Sequence, residues 1–177
     1  MLKTDRLVLR KWETRDQSHL ASLFGDPEVM EFSDHGVLSP KQQVNWFNKA
    51  LSVRRDDFLS GPFAIASKST GDVVGYISLS FDPKRCDQGD VEIGFRLSRG
   101  AWGKGFASEA AAGLLRRAAD IPSISRVVAI VDPANRRSIR VLEKLGMSQI
   151  GEVMFEGYDH PDALYALSMV SSHEAIF

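Results

Sequence analysis

The segment Trp102-Gly103-Lys104-Gly105-Phe106-Ala107-Ser108 lies between a predicted strand and a predicted helix, and it contains two glycines. The strand is Val91–Leu97 and the helix is Phe106–Ala119. The first turn of a helix leaves backbone N–H groups unpaired, and the helix dipole favours an anion there. Glycines allow such a backbone to approach a phosphate closely. The segment therefore predicts either a phosphate-binding loop or simply a tight strand-to-helix turn.

Two familiar phosphate-binding patterns are alternatives for this loop. A Walker loop needs Gly-x-x-x-x-Gly-Lys-Ser/Thr, which Gly100–Gly105 does not supply. A dinucleotide fingerprint, Gly-x-Gly-x-x-Gly/Ala, nearly matches Gly103–Ser108, and Asp132 could act as its ribose-binding acid. However, the loop lies past the middle of a short chain, which leaves too little sequence for paired mononucleotide halves. A dinucleotide-dependent oxidoreductase remains an alternative.

Helices and strands alternate on both sides of the loop, with no internal repeat or linker. Seven segments have strand patterns: Arg6–Trp12, Pro62–Ser67, Val73–Phe81, Val91–Leu97, Arg126–Val131, Gln149–Phe155 and Ala163–Val170. Four segments have helical spacing or capping: a short helix with Thr14 as its N-cap and Leu20, Leu23 and Phe24 as its apolar stripe, the helix that begins at Ser39-Pro40, Phe106–Ala119 and Asn135–Leu145. We predict a single domain over residues 1–177, an α+β fold in which helices are layered on a mixed sheet.

Composition narrows the class of protein. The 177 residues are 44% hydrophobic and 25% charged, which is typical of a globular domain that builds a core without disulfides. The net charge of −1 gives no indication of a nucleic-acid partner. The early charges in the first six residues argue against a signal peptide, and no apolar run approaches the roughly 18 residues of a membrane span. We expect a soluble, cytoplasmic monomer or homodimer that binds neither nucleic acid nor membrane.

Few side chains suggest metal or covalent chemistry. Cys86 is the single cysteine, and it lies in a polar turn with no histidine nearby to activate it. The four histidines are scattered without metal-ligand spacing: His19, His35, His160 and His173. We therefore expect no metal site and no covalent enzyme intermediate.

The loop also resembles the acetyl-CoA loop of the GCN5-related N-acetyltransferases (GNAT), Arg/Gln-x-x-Gly-x-Gly/Ala. It reads Trp102-x-x-Gly105-x-Ala107, and Trp at the first position is familiar in the RimJ/RimL-like branch, which acetylates ribosomal-protein N-termini and related amines. Four further segments resemble that branch in the expected order: Thr4–Arg10, Glu92–Phe95, Ser108–Ala110, and Asn135-x-x-Ser138 followed by Glu143–Met147. The resemblance covers most of the chain.

This resemblance implies an acetyl-CoA-dependent N-acetyltransferase with a mixed sheet of about seven strands flanked by helices. The pantetheine arm of acetyl-CoA is expected to pair with the strand backbone at Phe95, Arg96 and Leu97. The pyrophosphate is expected to bind the amides of the loop: Gly103, Lys104, Gly105, Phe106, Ala107 and Ser108. Lys104 is a candidate for additional positive charge on the phosphates. The partner is an amine acceptor, and no metal is implied.

Acetyl transfer also requires groups that manage protons. The attacking amine must be neutral, whereas a lysine amine has a reference pKa of about 10.4 and an α-amine of about 8. Glu92 is the candidate that accepts the amine proton through water, with Glu156 or water alone as alternatives. The resemblance implies that Asn135 contacts CoA and that Ser138 faces the thioester sulfur. Both residues also suit the first turn of a helix without any catalytic role.

The acceptor itself is not specified by the pattern. In relatives, the segment from Met30 to Phe58 lines the acceptor site. The acidic residues Asp26, Glu28, Glu31 and Asp34 favour a cationic acceptor, although such a cluster also suits a solvated surface. A non-catalytic acyl-CoA-binding sensor is the second alternative, since it would keep the loop but not need Glu92 or Ser138.

Overall fold

The computed structural model describes residues 1–53, 61–82 and 86–169. Within these residues eight strands form one mixed sheet in the order β1-β2-β3-β4-β5-β6-β8-β7. The strands are β1 (Leu2–Lys3), β2 (Leu7–Arg10), β3 (Phe63–Ser67), β4 (Val73–Ser80), β5 (Asp90–Leu97), β6 (Arg126–Val131), β7 (Ser148–Val153) and β8 (Asp162–Ser168). The predicted mixed sheet is confirmed. The two-residue β1 is the strand that sequence patterns did not reveal, and Val170 of the predicted last strand lies outside the described residues.

Four α-helices flank the sheet in the described part of the chain: α1 (Leu20–Phe24), α2 (Pro40–Ser52), α3 (Phe106–Ala119) and α4 (Arg136–Lys144). Ser39 caps α2 as its sequence predicts, because its hydroxyl accepts the amide of Gln42. Gly146 ends α4 with a φ of 83°, a left-handed conformation that glycine adopts without strain. None of these helices is long and apolar enough to cross a membrane.

Each face of the sheet has its own core. On one face, α3 and α4 bury Leu114 and Leu142 against strand residues such as Ile93. On the other face, α1 and α2 bury Phe24 and Phe47. Each such side chain contributes about 1.5–3 kcal/mol when fully buried, so the two cores hold the helices on opposite sides of the sheet.

A buried ion pair explains one arginine of the opening strand. Arg10 donates from both terminal nitrogens to Asp16, at 2.7 and 2.8 Å. Burial alone would raise the pKa of the Asp16 carboxyl, but the hydrogen bonds from Arg10 and from the Glu13 amide outweigh it, so the pKa is lowered. Arg10 therefore has a structural role as the partner of Asp16.

The centre of the sheet is only partly closed. β5 and β6 are its one parallel pair within the described residues, and their register runs from Asp90↔Arg126 only to Glu92↔Val128. Arg126 holds this closed end through the buried carboxylate of Asp90, with Nη2 to Oδ2 at 2.5 Å. Beyond it, β5 continues to Leu97 without this pairing, which leaves a gap between the two strands.

Candidate active site

The glycine loop lies at the N-terminus of α3, beside the gap. Gly103 and Gly105 have φ values of 72° and 77°, so both positions require a left-handed backbone that L side chains rarely adopt. Gly105 is the residue that precedes the first turn of α3. The amides of Phe106, Ala107 and Ser108 belong to that turn, where the helix itself offers no acceptor. The loop therefore has the geometry of an anion-binding site. The same two glycines also form the tight turn between the strand and the helix.

An ion pair connects the loop to the start of the chain. Arg6 donates from Nη1 to the carbonyl of Lys104 at 2.9 Å and from Nε to Glu109 of α3 at 2.7 Å. The second oxygen of Glu109 accepts the Arg6 amide at 2.7 Å and the Thr4 hydroxyl at 2.5 Å. Burial would raise the pKa of Glu109, but these bonds together lower it. Arg6 and Glu109 thus position the loop without facing the cavity.

We expect Arg6→Ala to weaken acetyl-CoA binding by several-fold to about tenfold, since it removes contacts that fix the loop but none to the ligand. Glu109→Gln should have a similar effect, and the double variant should be less impaired than the product of the two. Titration calorimetry of the four proteins measures this coupling. Arg117→Ala, on the exposed end of α3, is the control. Independent, multiplicative effects would contradict the positioning role.

Trp102 links three elements around the loop. Its indole N–H donates to the carbonyl of Leu97, at 2.9 Å, which ties the loop to the end of β5. The Arg137 guanidinium of α4 lies 4.3 Å from the centre of its ring, a cation–π distance. Tryptophan at this position therefore holds a cation beside the loop.

More cations lie on the same helix. Arg137, Arg140 and Lys144 are spaced three and four residues apart along α4, and all three line the cavity described next. Lys104, by contrast, is exposed and is not among the lining residues. The sequence suggested Lys104 as a source of positive charge, but in the cavity this charge comes from Arg137, Arg140 and Lys144 of α4.

A cavity of about 580 Å³ runs along the gap between β5 and β6. It brings together most of the residues that the sequence singled out: Glu92, Phe95, Arg96, Leu97, Gly103, Gly105, Phe106, Ala107, Ser108, Asn135 and Ser138. It also reaches Glu28, one of the acidic residues noted in the sequence, and residues 31–34 of the predicted acceptor segment from Met30 to Phe58. Residues 54–58 of that segment lie outside the described residues. One continuous space therefore joins the glycine loop to the candidate acceptor region.

Backbone groups of β5 face this gap in alternation. Ser98 donates its amide to the carbonyl of Val74 on β4. In an antiparallel ladder the hydrogen-bonded residue pairs alternate with non-hydrogen-bonded pairs, so every second residue of β5 before Ser98 is hydrogen-bonded to β4. Arg96 is in such a pair with Tyr76, whereas the backbone groups of Phe95 and Leu97 point toward β6. Backbone pairing with a ligand at Phe95 and Leu97 fits this alternation. The same prediction for Arg96 does not fit it.

Glu92 and Arg96 share one face of β5. Residues at even positions of this strand lie on the face of α1 and α2, as the pairing of Arg96 with Tyr76 shows, while Ile93 packs toward α3. Glu156, the alternative carboxylate, is exposed and does not line the cavity. Of these two carboxylates, the cavity includes Glu92.

Asn135 and Ser138 lie at the start of α4. The side-chain oxygen of Asn135 accepts the amide of Ser138 at 3.1 Å, so Asn135 caps the helix. Both residues line the cavity, together with Tyr158, which sequence analysis missed. Ser138 and Tyr158 are thus two hydroxyl groups at the same cavity.

Asp132, His160 and Asp162 also meet at the mouth of the cavity, with one possible ligand atom from each within 4.8 Å of the others. Both ring nitrogens of His160 are already engaged, with Asp159 at 2.6 Å and Asp132 at 3.3 Å. These hydrogen bonds raise the pKa of His160, which favours the imidazolium. Within this cluster, Asp132 and His160 form an ion pair, which the sequence spacing of these residues did not reveal.

Comparison with known proteins bears directly on this arrangement. The family model described as "Acetyltransferase (GNAT) domain" matches residues 6–148, well over half of the chain. The chain belongs to the GNAT acetyltransferase family. The GNAT match contains the glycine loop, both strands of the gap and α4.

Individual GNAT proteins agree with this assignment. An uncharacterised N-acetyltransferase, p20 of Bacillus licheniformis, is 34% identical over 153 residues, which cover 85% of this chain and 83% of that protein. The crystal structure of a GNAT-family acetyltransferase from Bacillus anthracis superposes with a TM-score of 0.81 and 26% identity, covering 95% of this chain and 98% of that one. The microcin C7 self-immunity acetyltransferase MccE, solved with acetyl-CoA and AMP, shares the fold with a TM-score of 0.74 at 17% identity, over 93% of each chain. The predicted GNAT fold is thus confirmed.

Proposed function

We propose that this GNAT acetyltransferase transfers the acetyl group of acetyl-CoA to a primary amine by direct attack within a ternary complex. The single observation that carries the proposal is the cavity along the β5–β6 gap. It joins an anion-binding loop at one end to a carboxylate, Glu92, and a hydroxyl, Ser138, on the strands and helix beside it. A donor with phosphates at one end and a thioester at the other matches this order of groups.

In this proposal the loop amides from Gly103 to Ser108 hold the pyrophosphate at the start of α3. Arg137, Arg140 and Lys144 add positive charge from α4. The backbone of Phe95 and Leu97 pairs with the pantetheine arm, because it faces the gap. Asn135 contacts the cofactor while it caps α4.

The chemical step then needs a neutral amine and a stabilised thiolate. Glu92 accepts the amine proton through a water molecule, and Ser138 or Tyr158 hydrogen-bonds the departing sulfur. Cys86 is an unsuitable nucleophile, because burial and the neighbouring carboxylates of Glu92 and Asp90 raise its thiol pKa. Direct attack is favoured over an acetyl-cysteine intermediate.

A binding and turnover experiment tests the proposal. Titration calorimetry with acetyl-CoA and with NADH separates an acetyltransferase from a dinucleotide-dependent enzyme. We expect saturable binding of acetyl-CoA alone. Release of free CoA thiol is then measured with pools of ribosomal-protein N-terminal peptides, other peptides, polyamines, amino acids and aminoglycosides. Binding without thiol release from any pool would favour the acyl-CoA sensor.

The RimJ/RimL-like branch remains a prediction within this proposal. It is supported by the opening segment Thr4–Arg10 and by Trp102 in the loop, both of which have defined contacts here. A preference for peptides with the N-terminal sequences of ribosomal proteins over all other pools would support it.

Ser138→Ala should lower kcat and kcat/KM together by about tenfold, the value of one neutral hydrogen bond made in the transition state. The affinity for acetyl-CoA should stay unchanged, because the amide of Ser138, not its hydroxyl, bonds Asn135. Steady-state kinetics and calorimetry measure the two quantities. Tyr158→Phe is the matched removal of the other cavity hydroxyl. Normal kcat in a folded Ser138→Ala protein would assign the sulfur contact elsewhere.

A further inference from the structure

Among the residues that the structure describes, none is a counter-ion for Arg96. It is half-buried on β5, and its guanidinium lies 5.7 Å from the ring centre of Phe24 and 5.8 Å from that of Tyr76. Within residues 1–53, 61–82 and 86–169, the guanidinium contacts these two rings, and no hydrogen bond or ion pair engages its five N–H groups. A half-buried guanidinium with all of its N–H groups available is well suited to bind an anion that enters the cavity.

Nearby groups do not serve as that anion. Burial raises the pKa of Tyr76 despite the opposing charge of Arg96, so the phenol stays neutral. Asp26 and Glu28 are held by Arg99, the former at 3.4 Å. The aromatic rings orient the Arg96 side chain without neutralising it.

The cofactor phosphates are expected elsewhere. Their loop opens α3, which packs on the opposite face of the sheet from Arg96 and Tyr76. Arg137, Arg140 and Lys144 supply cations on α4. Arg96 therefore belongs to the acceptor half of the cavity.

We infer that Arg96 binds a carboxylate of the acceptor, so that the substrates are amines that also carry an acidic group, such as amino acids or short peptides. The inference rests on the proposed acetyl transfer. A guanidinium holds a carboxylate through two parallel N–H···O bonds, which fix orientation as well as charge.

The position of Arg96 sets the geometry of such an acceptor. Glu92 lies four residues earlier on the same face of β5, about 13 Å away between Cα atoms. Both side chains line one cavity, so an acceptor can place its amine at Glu92 while its carboxylate meets Arg96. Glu31 and Asp34, exposed at the rim, favour entry of the ammonium end. The acidic cluster then attracts the amine of a zwitterion.

Paired acceptors test this inference. Thiol release is measured with L-amino acids, dipeptides and their C-terminal amides, which differ only in the acidic group. We expect wild-type kcat/KM to favour the free acids by about 10- to 100-fold, the range for a charge-assisted contact. Arg96→Gln should remove that preference and keep turnover of the amides, and Arg96→Lys should retain part of it. Arg117→Gln, on the exposed face of α3, is the matched control and should keep the preference.

The outcomes separate this inference from acetyl transfer itself. Equal turnover of acids and amides by the wild type, or turnover of amides alone, would overturn the carboxylate site while acetyl transfer stands. An unchanged preference in Arg96→Gln would assign the carboxylate to another residue and also overturn it. Thiol release from no member of the panel would count against it as well. Calorimetry with acetyl-CoA would then decide whether the proposed function also fails.

Discussion

Replacement of Glu92 by glutamine is expected to lower kcat/KM by about 10²–10⁴-fold, the range for a positioned general base. Glutamine keeps the size of the side chain and a hydrogen-bonding oxygen but cannot accept the proton of the amine. Acetyl-CoA affinity should change little, because Glu92 lies on the face of β5 opposite α3 and its loop. The loss should also be smaller at high pH, where more of the amine is already neutral.

Glu156→Gln is the matched control for this experiment. Glu156 is the alternative carboxylate from sequence analysis, but it is exposed and outside the cavity lining. Full pH profiles of kcat/KM for both variants distinguish the two candidates. A large loss in Glu156→Gln with normal turnover in Glu92→Gln would reverse the assignment. Normal turnover in both would leave water as the proton acceptor.

Gly105→Val should weaken acetyl-CoA binding by at least about 100-fold, the value of two charge-assisted hydrogen bonds lost from the loop. Two effects act together. The φ of 77° is strained for any L side chain, and a Cβ atom would lie 3.4 Å from Nη2 of Arg6. The branched valine would therefore displace the loop amides, and its bulk would stand where phosphate approaches. Titration calorimetry measures the affinity.

Two other glycines of the same segment separate these causes. At Gly103, φ is 72° but a Cβ would meet nothing within 4 Å, so Gly103→Val tests backbone strain without the Arg6 contact. At Gly100 the space is also open and φ is ordinary, so Gly100→Val should bind acetyl-CoA normally. Thermal unfolding of all three checks that they are folded. Unchanged acetyl-CoA affinity in Gly105→Val would remove the loop from the cofactor site.

Local patterns were sufficient to predict the elements that carry this site. The glycines of the loop, the helix after them and the buried strand Arg126–Val131 have short-range signals, since capping and periodicity depend on near neighbours. In the structure one cavity brings together Glu92, Ser138 and most loop residues.

Features that depend on distant residues were not predictable in this way. Arg6 and Glu109 were each part of a recognised segment, but their ion pair spans 103 positions and leaves no local signal. The role of Trp102 depends on Leu97 and Arg137, which belong to separate elements. The cations of α4 have a local spacing of three and four residues, but the sequence analysis placed the positive charge on Lys104 instead.

Because the pairing of β5 with β6 ends at Glu92 and Val128, the sheet has unpaired strand edges at its centre. Six residue pairs join β4 to β5 and six join β6 to β8, but only three join β5 to β6. In the empty protein, the amides of Phe95 and Leu97 should therefore exchange their hydrogens with solvent as those of an outer strand do, although they lie mid-sheet. A ligand that pairs with them acts as a ninth strand and joins two half-sheets, so its binding free energy is also added to the resistance of the fold against unfolding.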